Sequence, residues 1–249
     1  MDFIFNNVRE ISQSRATQGS GGNVMIRPSV RNAGLAGLWP ARALLLSVAL
    51  PALGLAAPFA SAADEAVDAA EALVRATWFE GLPFAEASEI GAAGAARLRE
   101  LLADPASARS HANALLALGI SAEPGAYAAL ARYGHARERS SAPASSEIRR
   151  AWRVLPLAMG HLARRDPRAL AWLVAERERA VAAQDTPRHE HILLALGVAG
   201  TPEADAILAR VSDAAPGPLQ PSVRRARELC ARIVRDGARQ TFVASEVAR

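Results

Sequence analysis

The 249-residue chain contains no lysine; all 29 of its basic residues are arginine. A lysine-free, alanine-rich chain reflects the coding bias of a GC-rich genome, so the pI near 10.4 is weak evidence for a polyanionic partner. The basic excess is also uneven. Residues 1–62 hold five arginines against Asp2 and Glu10, which leaves 24 arginines and 23 acids, a net charge of +1, in residues 63–249. So neutral a body lacks the broad basic footprint of nucleic-acid binders, and no nucleic-acid partner is expected.

Cysteine is nearly absent. Cys230 alone excludes an internal disulfide and any zinc site built on two or more thiolates. It reads as a small apolar residue on a helix. Aromatics are 5% of the chain, and few runs of β-branched or aromatic residues compete for strand. Catalytic motifs are missing as well. GSGG at 19–22 lacks the lysine of a phosphate-binding loop, and Ser140, Ser141, Ser145 and Ser146 have no nucleophile-elbow motif around them. His189 and His191 are two apart and point to different sides of a helix, whereas a helical metal pair wants a spacing of three or four. No catalytic residue, cofactor or metal is expected.

What is present begins with an export address. ALLLSVALPALGLAA (43–57) is an apolar run preceded by Arg27, Arg31 and Arg42 and followed by Ala60-Ser61-Ala62. Small residues stand where a signal peptidase reads, so cleavage is expected after Ala62, with release to the periplasm or the medium. The run is short for a membrane span and Pro51 interrupts it. Residues 1–24 are unpatterned, and the start is Met1 or Met25. Residues 1–62 are set aside as an extension and signal, removed or disordered, and 63–249 as one helical domain.

That domain repeats itself. ALLALGISAEPGAYAALARY (114–133) returns as ILLALGVAGTPEADAILARV (192–211), with 11 of 20 positions identical. Gly119, Gly160 and Gly197 mark three copies of a unit of about 39 residues. Ala, Leu, Arg and Glu favour helix. Asp104-Pro105, Glu123-Pro124, Asp166-Pro167, Thr186-Pro187 and Thr201-Pro202 each place a polar residue before a proline, a helix-start signal. One unit is then helix A (Ser107 to Leu118), a turn in which the glycine takes the left-handed conformation, and helix B (Pro124 to Tyr133). His111 and His189 occupy matching positions. Pro156 and two extra residues after Gly160 set the middle copy apart. Residues 64–96, with a helix around Ala66–Trp78, form an N-terminal cap. Residues 221–240 form a C-terminal capping helix, and 136–147 a Ser/Ala/Pro insertion.

Residues 97–213 resemble HEAT-type helical repeats: a leucine-rich helix B, an Asp-Pro turn and a helix A ending in Ala-Leu-Gly. The resemblance implies an all-α fold, a short right-handed α-solenoid of stacked hairpins, as found in secreted bacterial proteins with HEAT repeats. It implies a non-catalytic adaptor or scaffold that binds another protein or peptide. The B helices of such arrays line the concave side, which makes Tyr127, Arg132, Arg168, Trp172, Glu176, Asp205 and Arg210 candidate contact residues. Two alternatives stay open: an accessory subunit of an enzyme, as in HEAT-like lyases, and a membrane-tethered scaffold with an uncleaved N-terminus.

Overall fold

A computed structural model describes residues 62–78, 81–139, 144–214 and 217–247; the apolar run 43–57 and both candidate starts lie outside them. Among the described residues the chain is all-α, without a strand. The helices are α1 (Ala62–Arg75), α2 (Phe84–Ser88), α3 (Ala92–Ala103), α4 (His111–Ser121), α5 (Ala126–Arg139), α6 (Ser146–Ala163), α7 (Pro167–Ala182), α8 (Thr186–Ala199), α9 (Pro202–Ala214), α10 (Gln220–Asp236) and α11 (Ala238–Val247). Short 3-10 turns at Pro105–Ser110 and Gly217–Leu219 lead into α4 and α10. No helix among the described residues is long and apolar enough to cross a membrane.

Capping chemistry sets the starts. Asp104 accepts from the Ala106 amide at 3.0 Å, Asp166 from the Arg168 amide at 3.0 Å, and Thr201 Oγ1 from the Ala204 amide at 3.2 Å. Each satisfies an amide that the first helical turn leaves free. Two starts differ from expectation. Asp185, not Thr186, caps α8, accepting from the Arg188 amide at 3.1 Å. After Glu123-Pro124, Gly125 at φ +86° delays α5 to Ala126. At the N-terminal cap, α1 stops at Arg75, and the Trp78 indole donates to the Leu73 carbonyl at 2.8 Å, satisfying one of the acceptors freed there.

Helices α4, α6, α8 and α10 pack one on the next, and the second helix of each hairpin leans across the joint: α5 on α4 and α6, α7 on α6 and α8, α9 on α8 and α10. α4 and α8 are buried almost all round, from Ala114 to Ser121 and from Ala195 to Ala199, as suits helices with neighbours on several sides. The repeat glycines explain how the row packs so closely. A Cβ at Gly119 would lie 2.2 Å from the Ala158 carbonyl oxygen, at Gly160 2.4 Å from that of Ala195, and at Gly197 2.6 Å from that of Ala226. The expected left-handed glycine is therefore corrected. All three sit inside helices, where they let the next backbone approach. The left-handed residues come three positions later, Ala122 (φ +52°) after α4 and Gly200 (φ +55°) after α8, again 78 residues apart. The middle copy ends differently: the Arg165 and Asp166 amides both bond the Leu162 carbonyl, and no left-handed residue follows. Of the two extra residues, one lengthens α6 past Gly160 and the other falls in this turn. Pro156 does not break α6.

The C-terminal cap also departs from expectation. A single helix over 221–240 is replaced by α10 and α11, divided at Gly237 with φ +80°. α11 folds back to pack on both α10 and α2, with the Phe242 and Phe84 rings 5.1 Å apart.

Candidate functional site

A cleft of about 420 Å³ opens between the first half of α6 and the start of α8. Arg149, Trp152, Arg153 and Pro156 line one wall, and Asp185, Pro187, Arg188 and His191 the other. The α6 residues recur at the three- and four-residue spacing that puts side chains on one helix face. Two of the charged groups are engaged within the fold. Asp185 is spent on the α8 cap. The Arg188 guanidinium pairs with Glu176 of α7, whose carboxylate is buried and also pairs with Arg179. His191 Nδ1 lies 2.7 Å from the Pro187 carbonyl, so it carries the proton of that hydrogen bond.

Among the described residues no acid pairs with Arg149 or Arg153, both exposed and one turn apart on α6. Arg149 donates to the Ala144 carbonyl. Arg153 has no hydrogen bond or ion pair to any described residue. Trp152 is half-buried beside them. The site therefore offers two guanidiniums, suited to carboxylates, next to a flat apolar face.

The residues singled out from the sequence fall elsewhere, with one link to the cleft. Arg168 lies over the Tyr127 ring at 4.6 Å and is held there by Asp166, at 3.0 and 2.7 Å, so α5 and α7 share a surface cluster. Those hydrogen bonds hold the Asp166 carboxyl below the usual carboxylate range. Trp172 is half-buried near Gly134. Glu176 faces inward and positions Arg188, a supporting role for the cleft. Asp205 lies 3.8 Å from Arg227, and Arg132 and Arg210 are exposed; none of these three lines the cleft. The cleft residues were missed because they come from two separate stretches, 149–156 and 185–191, joined only when α6 and α8 pair. The sequence signal available was the Arg-x-x-Trp-Arg pattern of α6.

Buried polar groups hold the fold around the site. His111 lies 3.0 Å from the Tyr133 hydroxyl through Nδ1 and 3.0 Å from the Leu101 carbonyl through Nε2; burial pushes the Tyr133 hydroxyl up to about 12. His189, its copy, is buried, and burial and Arg177 push its pKa down. His161 is enclosed by Phe84 and Phe242, with Arg164 donating to its Nδ1 at 3.1 Å. Burial pushes the Cys230 thiol up to about 11, which leaves little nucleophilic thiolate. Among the described residues no group of three or more His, Cys, Asp and Glu gathers around a point that a metal ion could occupy. No family model, curated protein or solved structure matches the chain.

Proposed function

We propose that the chain is an exported HEAT-like array, a short right-handed solenoid, that binds another protein and serves as an adaptor or scaffold without catalysing a reaction. The observation that carries this reading is the α6–α8 cleft, where Trp152 and two solvent-facing arginines are mounted on closely packed helices. Trp and Arg are the residues most enriched where binding energy concentrates, and helices locked by Gly160 against Ala195 hold them in place. The repeated glycine contact supports the array, since each unit buries its face only against the next. The sequence of residues 27–62 supports export.

The test is a gentle cross-linking pull-down from the envelope fraction of the cells that make the protein, with N-terminal sequencing of the mature chain. A start at Ala63 and one reproducibly retained protein are expected. A monodisperse chain that retains nothing would overturn the adaptor reading. A start at Met1 or Met25 would overturn cleavage.

A further inference from the structure

We propose that the α6–α8 cleft takes an extended acidic segment of the partner polypeptide, with two of its carboxylates on Arg149 and Arg153 and an apolar side chain on Trp152. This rests on the adaptor reading and names the chemistry of the partner. Charge complementarity selects the occupant. Asp185, the acid that lines the cleft, is used on the amide that starts α8, and Glu176, which reaches the cleft residue Arg188, is used on Arg188 and Arg179. Neither neutralises Arg149 or Arg153, whose only described polar contact is Arg149 with the Ala144 carbonyl.

Spacing selects an extended chain. Four helical residues advance about 6 Å. Alternate side chains of a strand recur every 6–7 Å or so on one side. Carboxylates at positions i and i+2 of an extended segment therefore match guanidiniums at positions i and i+4 of α6, each pair a charge-assisted hydrogen bond. The residues flanking such a pair run along the cleft, where Trp152, Pro156 and Pro187 supply apolar surface. The two arginines stand exposed at the cleft wall rather than enclosed with buried donors, an arrangement suited to side chains of a passing segment rather than to a free small anion.

The test selects displayed random hexapeptides against the full exported chain and measures individual peptides by fluorescence anisotropy. Selected peptides are expected to carry Asp or Glu two positions apart, and to lose at least tenfold in affinity when these become Asn or Gln. The pair Arg149→Gln with Arg153→Gln should cost tenfold or more. A charge-matched pair outside the cleft, Arg150→Gln with Arg224→Gln, should cost less than twofold, with equal helix content by circular dichroism in both. Selection without acidic enrichment overturns the proposal. So does equal loss in the two double variants, or displacement of the peptide by citrate or sulfate at the peptide's own concentration. The adaptor reading fails separately. If wild type and the Arg149/Arg153 variant retain the same cross-linked partner equally, the cleft proposal falls and the adaptor reading stands; if no partner is retained, the adaptor reading falls.

Discussion

Gly160 shows what one missing methyl group permits. Alanine in a helix interior is favoured over glycine by about 1 kcal/mol, so local propensity argues for replacement. The position is nevertheless closed, since a Cβ would sit 2.4 Å from the Ala195 carbonyl oxygen and backbone cannot swing aside as a side chain can. Overpacking of this kind costs about 1–3 kcal/mol and outweighs the propensity gain when two packed helices must separate. Gly160→Ala is therefore expected to lower the urea midpoint, with a net loss of up to about 2 kcal/mol once the propensity gain is deducted. Gly217→Ala, which meets nothing within 4 Å, should stay within about 0.5–1 kcal/mol of wild type. Equal midpoints for the two variants would refute the close-approach role. The glycines themselves were legible as a repeat. Their task was not, because a left-handed cap and a backbone crossing use the same residue, and only the neighbouring helix distinguishes them.

Between elements, the pairing of α7 with α8 depends on a buried charge. Glu176 is 3% exposed and meets Arg179 on its own helix and Arg188 on the next. Removing one member of a buried pair leaves the other charge poorly compensated and costs about 3–5 kcal/mol. Because Arg188 and Arg179 retain some solvent contact, Glu176→Gln is expected to fall somewhat below that range, at about 2–3 kcal/mol by chemical denaturation. It should also loosen Arg188 at the cleft wall, visible as broadened side-chain resonances in NMR. A variant as stable as wild type would place the pair among surface bridges of little worth. The alternation Glu176-Arg177-Glu178-Arg179 is the pattern a solvated helix face carries. One acid of that face is turned inward, because α8 begins beside it and brings Arg188 to it.

Across the molecule, His161 stands where distant parts of the chain meet. Phe84 of α2 and Phe242 of α11 enclose the imidazole on α6, while Glu89 and Arg239 lie 3.6 Å apart between α2 and α11. Burial first, and then the adjacent Arg164 guanidinium, hold the His161 pKa well below its ordinary value of 6.5. Arg164 is itself pushed down to about 10 by burial and by Arg165. The unfolded chain takes up a proton below pH 6.5 that the folded His161 refuses, so stability is full above that pH and falls as the pH drops below it. His189 acts in the same direction. Carboxylates held low by partners, such as Glu71 beside Arg97, lose their contribution only at more acidic pH. The melting temperature is expected to fall between pH 7.5 and 5, and His161→Gln should flatten that decline. Parallel melting profiles for the two proteins would show that His161 is not a source of it.

The sequence by itself determined the class of elements and many of their ends. Alanine and leucine with few β-branched competitors dictate helix, and Asp104, Asp166 and Thr201 start helices because a cap acts on amides only two or three residues away. The repeat was legible for the same reason: a unit that packs on its own copy must keep the residues of the joint. Tertiary structure alone decided the rest. Which backbone lies over Gly119, that α11 returns to α2, that Glu176 is buried, and that Arg149, Trp152 and Arg153 face Asp185 and His191 are all contacts between segments distant in sequence. Such contacts are set by helix-on-helix packing across the row, where local spacing carries no information about which neighbour a given face will meet.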